Sequence, residues 1–289
     1  METETKPVWT RRLFLLSGVA GTAGLALAGA NPTNSESQSI CTLDAELTEG
    51  PYYLDRGLFR RDITERKPGV PLTLRTIILD ARSCAPIEHA ALEIWHCDAS
   101  GIYSGFTRMG AGGMSGPPPG GPMGPPPPDG PGIGSPPDGM TGPPPERGQF
   151  PGPRHRRETD KTSFCRGIQL SGAGGIAEFQ TIYPGWYVGR DTHIHLKVHL
   201  GGVAKSGRFH GGRVIHTGQL FFSDTLTDEI ARLQPYVAHR ARRTTLEEDM
   251  VYNQAHGAAP LLKIEPVTRD SVASGFVATV TVRVDPSRG

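Results

Sequence analysis

Alternation of apolar and polar residues is the strongest signal along the chain. "PLTLRTIILD" (71–80) sets Leu72, Leu74, Thr76 and Ile78 on one face, and "GFVATVTVRVD" (275–285) does the same with Phe276, Ala278, Val280, Val282 and Val284. A period of two is that of a half-buried strand. "AALEIWHC", "FCRGIQLS", "GIAEFQTIY", "THIHLKVHL" and "TGQLFFS" read the same way, with Gly, Pro, Asp and Ser punctuating between them. One segment changes period. "SDTLTDEIARLQPY" (223–236) spaces Leu226, Ile230 and Leu233 for a helix, with acidic residues early and Arg232 late. The pattern predicts an all-β fold, a β-sandwich of mainly antiparallel strands with long loops and one short helix.

Composition divides the 289 residues. Between Gly110 and Pro153, 44 residues hold 14 Gly and 16 Pro without an aliphatic stripe, too little apolar surface to offset the entropy of ordering. This tract (110–153) is expected to be a mobile or polyproline-like insertion between two strands, an inert loop or a lid. At the N-terminus, Arg11 and Arg12 precede an apolar run, Leu13 to Ala28, that ends in small residues. That is the layout of a twin-arginine signal peptide, and 16 residues are too few for a spanning helix. Residues 1–30 are therefore expected to be an export leader, and 31–289 one domain that is periplasmic or extracellular and has no membrane span. With 30 basic and 29 acidic residues the net charge is +1, so no global field points to nucleic acid. Four cysteines, Cys41, Cys84, Cys97 and Cys165, allow three pairings in an exported chain; Cys41 (coil) with Cys84 (turn) is the pairing expected first.

Candidate chemistry sits in "YPGWYVGRDTHIHLKV" (183–198). In a strand His193 and His195 project to the same face, while Thr192, Ile194 and Leu196 face the other way. Two such imidazoles suit a first-row metal. No Asp or Glu falls near them on that face, which argues against a two-histidine, one-carboxylate ferrous site. A three-histidine zinc site would need His96, His199, His210 or His216. Tyrosines crowd the region instead, and phenolate is a hard anionic donor that favours Fe(III).

Taken together, "TEGPYYLD", "LEIWHCDASGIYSGF", "FCRGIQLS", "TIYPGWYVGRDTHIHLKV" and "GQLFFSD" resemble the intradiol ring-cleavage dioxygenases, of the protocatechuate 3,4-dioxygenase and catechol 1,2-dioxygenase type, over about residues 41–285. The resemblance implies a mononuclear, non-haem Fe(III) held by Tyr103, Tyr187, His193 and His195, with Tyr183 as a packing residue. It implies a catalytic cation at Arg190 and a polar orienter at Gln219, and it puts Tyr52 at the substrate mouth. The reaction implied is cleavage of a catecholic ring by O2 between its two hydroxyl-bearing carbons, giving a cis,cis-muconate-type diacid. His96 is expected to be a buried, hydrogen-bonded histidine and Asp98 a turn residue. About forty leader and linker residues precede the fold, so a stand-alone catalytic domain is expected, without the helical dimerisation domain of catechol 1,2-dioxygenases; a homo-oligomer stays open. Two other readings compete: a zinc or copper hydrolase using the HxH pair with His96 or His199, and an exported non-catalytic binding module on the same fold.

Overall fold

The computed structural model describes residues 41–111, 156–256, 259–269 and 271–288. The expected leader and nearly all of the Pro/Gly tract, from residue 112, lie outside the described residues. Eight strands form: β1 (Pro71–Asp80), β2 (Ala91–Trp95), β3 (Arg166–Leu170), β4 (Ile176–Ile182), β5 (His193–Lys205), β6 (Arg208–Phe221), β7 (Lys263–Thr268) and β8 (Ser271–Val284). They make two four-stranded sheets, ordered β4-β1-β8-β7 and β3-β2-β5-β6. All neighbours are antiparallel except β1 and β8. This is the all-β sandwich that the alternation predicts.

The core lies between the sheets. Leu72, Leu74 and Ile78 of β1 and Phe276 to Val284 of β8 join Leu92 and Ile94 of β2, Ile194, Leu196 and Val198 of β5 and Leu220 of β6 in one buried cluster. Each such side chain contributes about 1.5–3 kcal/mol on leaving water. Because alternate residues face opposite ways, filling the core with Ile194, Leu196 and Val198 turns His193, His195, Lys197 and His199 to the outer face of the second sheet. On β2, the same constraint turns Glu93 and Trp95 outward. Register then sets Trp95 opposite His195 and His195 opposite Gln219, a row of three across three strands.

Five elements differ from the sequence expectation. The helix near residue 224, α1 (Asp224–Ile230), is capped by the Ser223 hydroxyl, which accepts the Leu226 N–H at 3.3 Å, but it stops after seven residues. The chain then turns toward Pro235, which has no N–H to continue an α-helical ladder. A second helix, α2 (Met250–Gln254), is only five residues long, too short to show a period. Strands β5 and β6 run on into a hairpin through Lys205 and Arg208, solvent-exposed for most of its length. Strand β7 is an exposed edge carrying Pro266, a position where proline is tolerated.

Cys41 and Cys84, 43 residues apart, are joined by a disulfide, and Cys97 and Cys165 are buried free thiols. No helix among the described residues is long and apolar enough to cross a membrane.

Candidate metal centre

Three loops bring side chains over the outer face of β5. The turn after β2 carries Tyr103, the loop between β4 and β5 carries Tyr187, and the segment before β1 carries Tyr52. Two glycines let the loops close in. Gly101 has φ +75°, and a Cβ there would lie 2.2 Å from the Trp186 carbonyl oxygen, so only glycine lets the Tyr103 loop lie against the Tyr187 loop. Gly50, at φ +72°, passes so close that a Cβ would meet Cε1 of His195 at 3.0 Å.

Four donor groups converge. Nε2 of His193 lies 3.1 Å from Nε2 of His195, 3.3 Å from the Tyr103 hydroxyl oxygen and 3.4 Å from that of Tyr187. Nδ1 of His193 donates to the Asp191 carbonyl at 2.5 Å, which leaves Nε2 of that ring an acceptor aimed at the other three groups. All four residues are buried. Burial, followed by the nearby Arg190 charge, holds both histidines well below their ordinary pKa. Burial raises both phenols: Tyr103 goes well above its usual value, with Tyr187 adding to the rise, and Tyr187 is pushed up to about 12 despite Arg190. Two imidazoles with their Nε2 atoms turned toward one point, ringed by phenol oxygens, are a donor set that one cation completes. A cation of high charge reverses the effect of burial and favours phenolate. The residues therefore fit a hard metal ion held by two oxygens and two nitrogens.

The surroundings hold these groups in place. The Trp95 ring lies flat on His195, 5.0 Å between centroids and 4° between planes. Tyr52 lies on Tyr103 at 4.5 Å and 19°, so it backs that phenol with its ring. Arg166, fully enclosed, donates from Nε to the Ser104 hydroxyl at 2.8 Å. From Nη2 it donates to the carbonyls of Tyr52 and Ser104, each at 2.8 Å, which ties together the two segments bearing the stacked tyrosines. Arg190 donates from Nε to both Asp249 oxygens, at 3.2 and 3.0 Å, and from Nη2 to Oε1 of Gln219. Nε2 of Gln219 in turn donates to the Thr48 carbonyl at 2.7 Å.

Other candidates lie elsewhere. Tyr183 is in the main core, its hydroxyl 2.7 Å from that of Thr227. The nitrogens of His96 are engaged by the Cys97 carbonyl and the Thr181 hydroxyl, both at 2.8 Å, and burial pushes its pKa down to about 4. Nε2 of His199 pairs with Glu93 at 3.0 Å, and Nδ1 of His216 with Glu46 at 3.0 Å. His210 is exposed on the hairpin. Asp98 accepts the N–H groups of Ser100 and Ile102 and pairs with Lys67 at 2.6 Å, as a turn residue does. Sequence reading missed Trp95, Arg166 and Asp249. Only Asp249 carries a local signal, an acidic residue directly before a short helix.

No family model and no curated protein matches the chain. Solved structures do. An intradiol ring-cleavage dioxygenase from Tetranychus urticae is 27% identical, with a TM-score of 0.61, over 86% of this chain and 96% of its own. The structure of the dioxygenase Tetur07g02040 is also 27% identical, with a TM-score of 0.62 and the same coverage of both chains. At 27% identity over most of both chains, this chain is similar in fold to intradiol ring-cleavage dioxygenases.

Proposed function

We propose that the chain is a non-haem Fe(III)-dependent intradiol dioxygenase that takes a catechol and O2 and opens the ring between the two hydroxyl-bearing carbons to a cis,cis-muconate-type diacid. The observation that carries this reading is the convergence of Tyr103, Tyr187, His193 and His195 on one buried point, with a guanidinium beside it. Ferric iron held by Tyr103, Tyr187, His193 and His195 would supply a hard Lewis acid for a catecholate to chelate, lowering the electron density that keeps the ring closed to O2. The protein's own groups do the rest. His193 stays a neutral donor because its Nδ1 proton is held by the Asp191 carbonyl. Tyr187 is the more exposed of the two tyrosines, 8% against 2%, so as phenolate its Oη is the better placed of the two to take up a substrate hydroxyl proton. Arg190, fixed on two sides by Asp249 and Gln219, offers a stationary cation to charge that develops on the ring. The stacked rings of Trp95 and Tyr52 keep the donors from reorienting in a site closed to bulk water.

Oxygen uptake by the iron-loaded full chain against a panel of catechols tests this, with ¹⁸O2 followed into the product. Two labelled atoms in a ring-opened diacid are expected. No uptake with any catechol, or cleavage outside the diol carbons, would overturn the reading.

A further inference from the structure

We propose that Asp249 is a positioning residue of this site, one carboxylate that fixes both the Arg190 guanidinium and the backbone that orients His193. The inference rests on the dioxygenase reading above and adds a residue 54 positions or more from any of the four donors. Asp249 is completely buried. Its two oxygens face different ways. Oδ1 accepts the N–H groups of Val251 and Tyr252, at 2.8 and 3.2 Å, and so caps α2. Oδ2 accepts the Asp191 N–H at 2.7 Å, and Nε of Arg190 is shared between the two oxygens, 3.0 Å from Oδ2 and 3.2 Å from Oδ1. Asp191 is also the residue whose carbonyl receives Nδ1 of His193. The Asp249 carboxylate therefore stands one hydrogen bond from the arginine and two from the imidazole. The chain continues from Arg190 to Gln219 and on to Thr48. Outer partners of this kind set the direction of a ligand's lone pair and of a charged neighbour.

The division of labour between the oxygens makes the proposal separable from capping. In Asp249→Asn the remaining oxygen can still cap α2, since asparagine caps as well as aspartate. The amide nitrogen then stands against the Asp191 N–H, which it cannot accept, and Arg190 keeps only the longer of its two contacts, with the remaining oxygen.

The test uses the full chain, loaded with iron, as wild type, Asp249→Asn, Asp249→Ala, Arg190→Gln and the Asn/Gln double variant. For Asp249→Asn, a thermal midpoint near that of wild type is expected. Turnover of catechol should fall by about 10–100-fold, more in kcat than in KM, and metal affinity against a competing chelator by a similar factor. Adding Asp249→Asn to Arg190→Gln should cost much less activity than adding it to wild type, because the two act through one contact. A chain in which Asp249→Asn matches wild type in kcat and metal affinity, while Asp249→Ala only lowers the midpoint, would make Asp249 a helix cap alone and overturn the proposal. If Asp249→Asn does not fold, Asp249→Ser, which also caps a helix and lacks the second oxygen, carries the same comparison. A wild-type chain that consumes no oxygen would instead remove the dioxygenase reading, and chelator competition would still report the positioning role.

Discussion

A tyrosine hydroxyl is a poor ligand until something takes its proton, and in this site burial makes that harder: Tyr103 and Tyr187 are both raised above the ordinary phenol value. Binding a metal as phenolate therefore calls for a strongly charged ion, and a hard trivalent metal suits two phenolate oxygens better than zinc does. The two tyrosines of "YPGWY" can be told apart on this ground. Tyr187→Phe in the iron-loaded protein should bleach or shift the tyrosinate charge-transfer band. Tyr183→Phe, which loses the Thr227 contact, should leave the band in place and cost stability of about 1 kcal/mol. The reverse pattern in the visible spectrum would assign the wrong tyrosine to the metal. At this scale the donors were legible because they occupy short motifs: His193 and His195 by same-face spacing, Tyr103 and Tyr187 by the resemblance. Trp95, Arg166 and Asp249 were not, since each acts through a contact made across strands or loops. Asp249 meets Arg190 from 59 residues away.

Elements show where alternation carries information and where it stops. β1 and the second half of β8 bury one face, so their apolar positions recur every second residue. The outer parts of β5 and β6 have few buried side chains, so no hydrophobic alternation marks them. Strand β7 carries no readable alternation, because Pro266 and exposed residues are tolerated at an edge. The parallel pairing of β1 with β8 joins segments about 200 residues apart, and no local pattern encodes it. The loops are the functional elements, and their approach depends on backbone without side chains. Gly101→Ala should press its methyl group on the Trp186 carbonyl and move the Tyr103 loop away from Tyr187. The strands, which bury their own core, should survive. The expected outcome is near-native far-ultraviolet circular dichroism with metal affinity at least tenfold weaker. An unchanged affinity would mean that the loops can part without loss of the site.

For the whole molecule, the sandwich is a support with two uses. One face of the second sheet closes the core, and the opposite face displays the β5 histidines at a spacing set by the strand itself, while the loop carrying Asp191 orients the His193 ring. The phenols of Tyr103 and Tyr187, the guanidinium and Asp249 then arrive from three separate stretches of chain, so the site needs the folded domain to assemble. Whether those donors hold iron is the claim on which everything else stands, and it is tested most directly by metal analysis and visible absorption of the purified full chain. One iron per chain with a tyrosinate-to-iron absorption band is the result expected; zinc in its place, or iron-replete protein without that band, would contradict it.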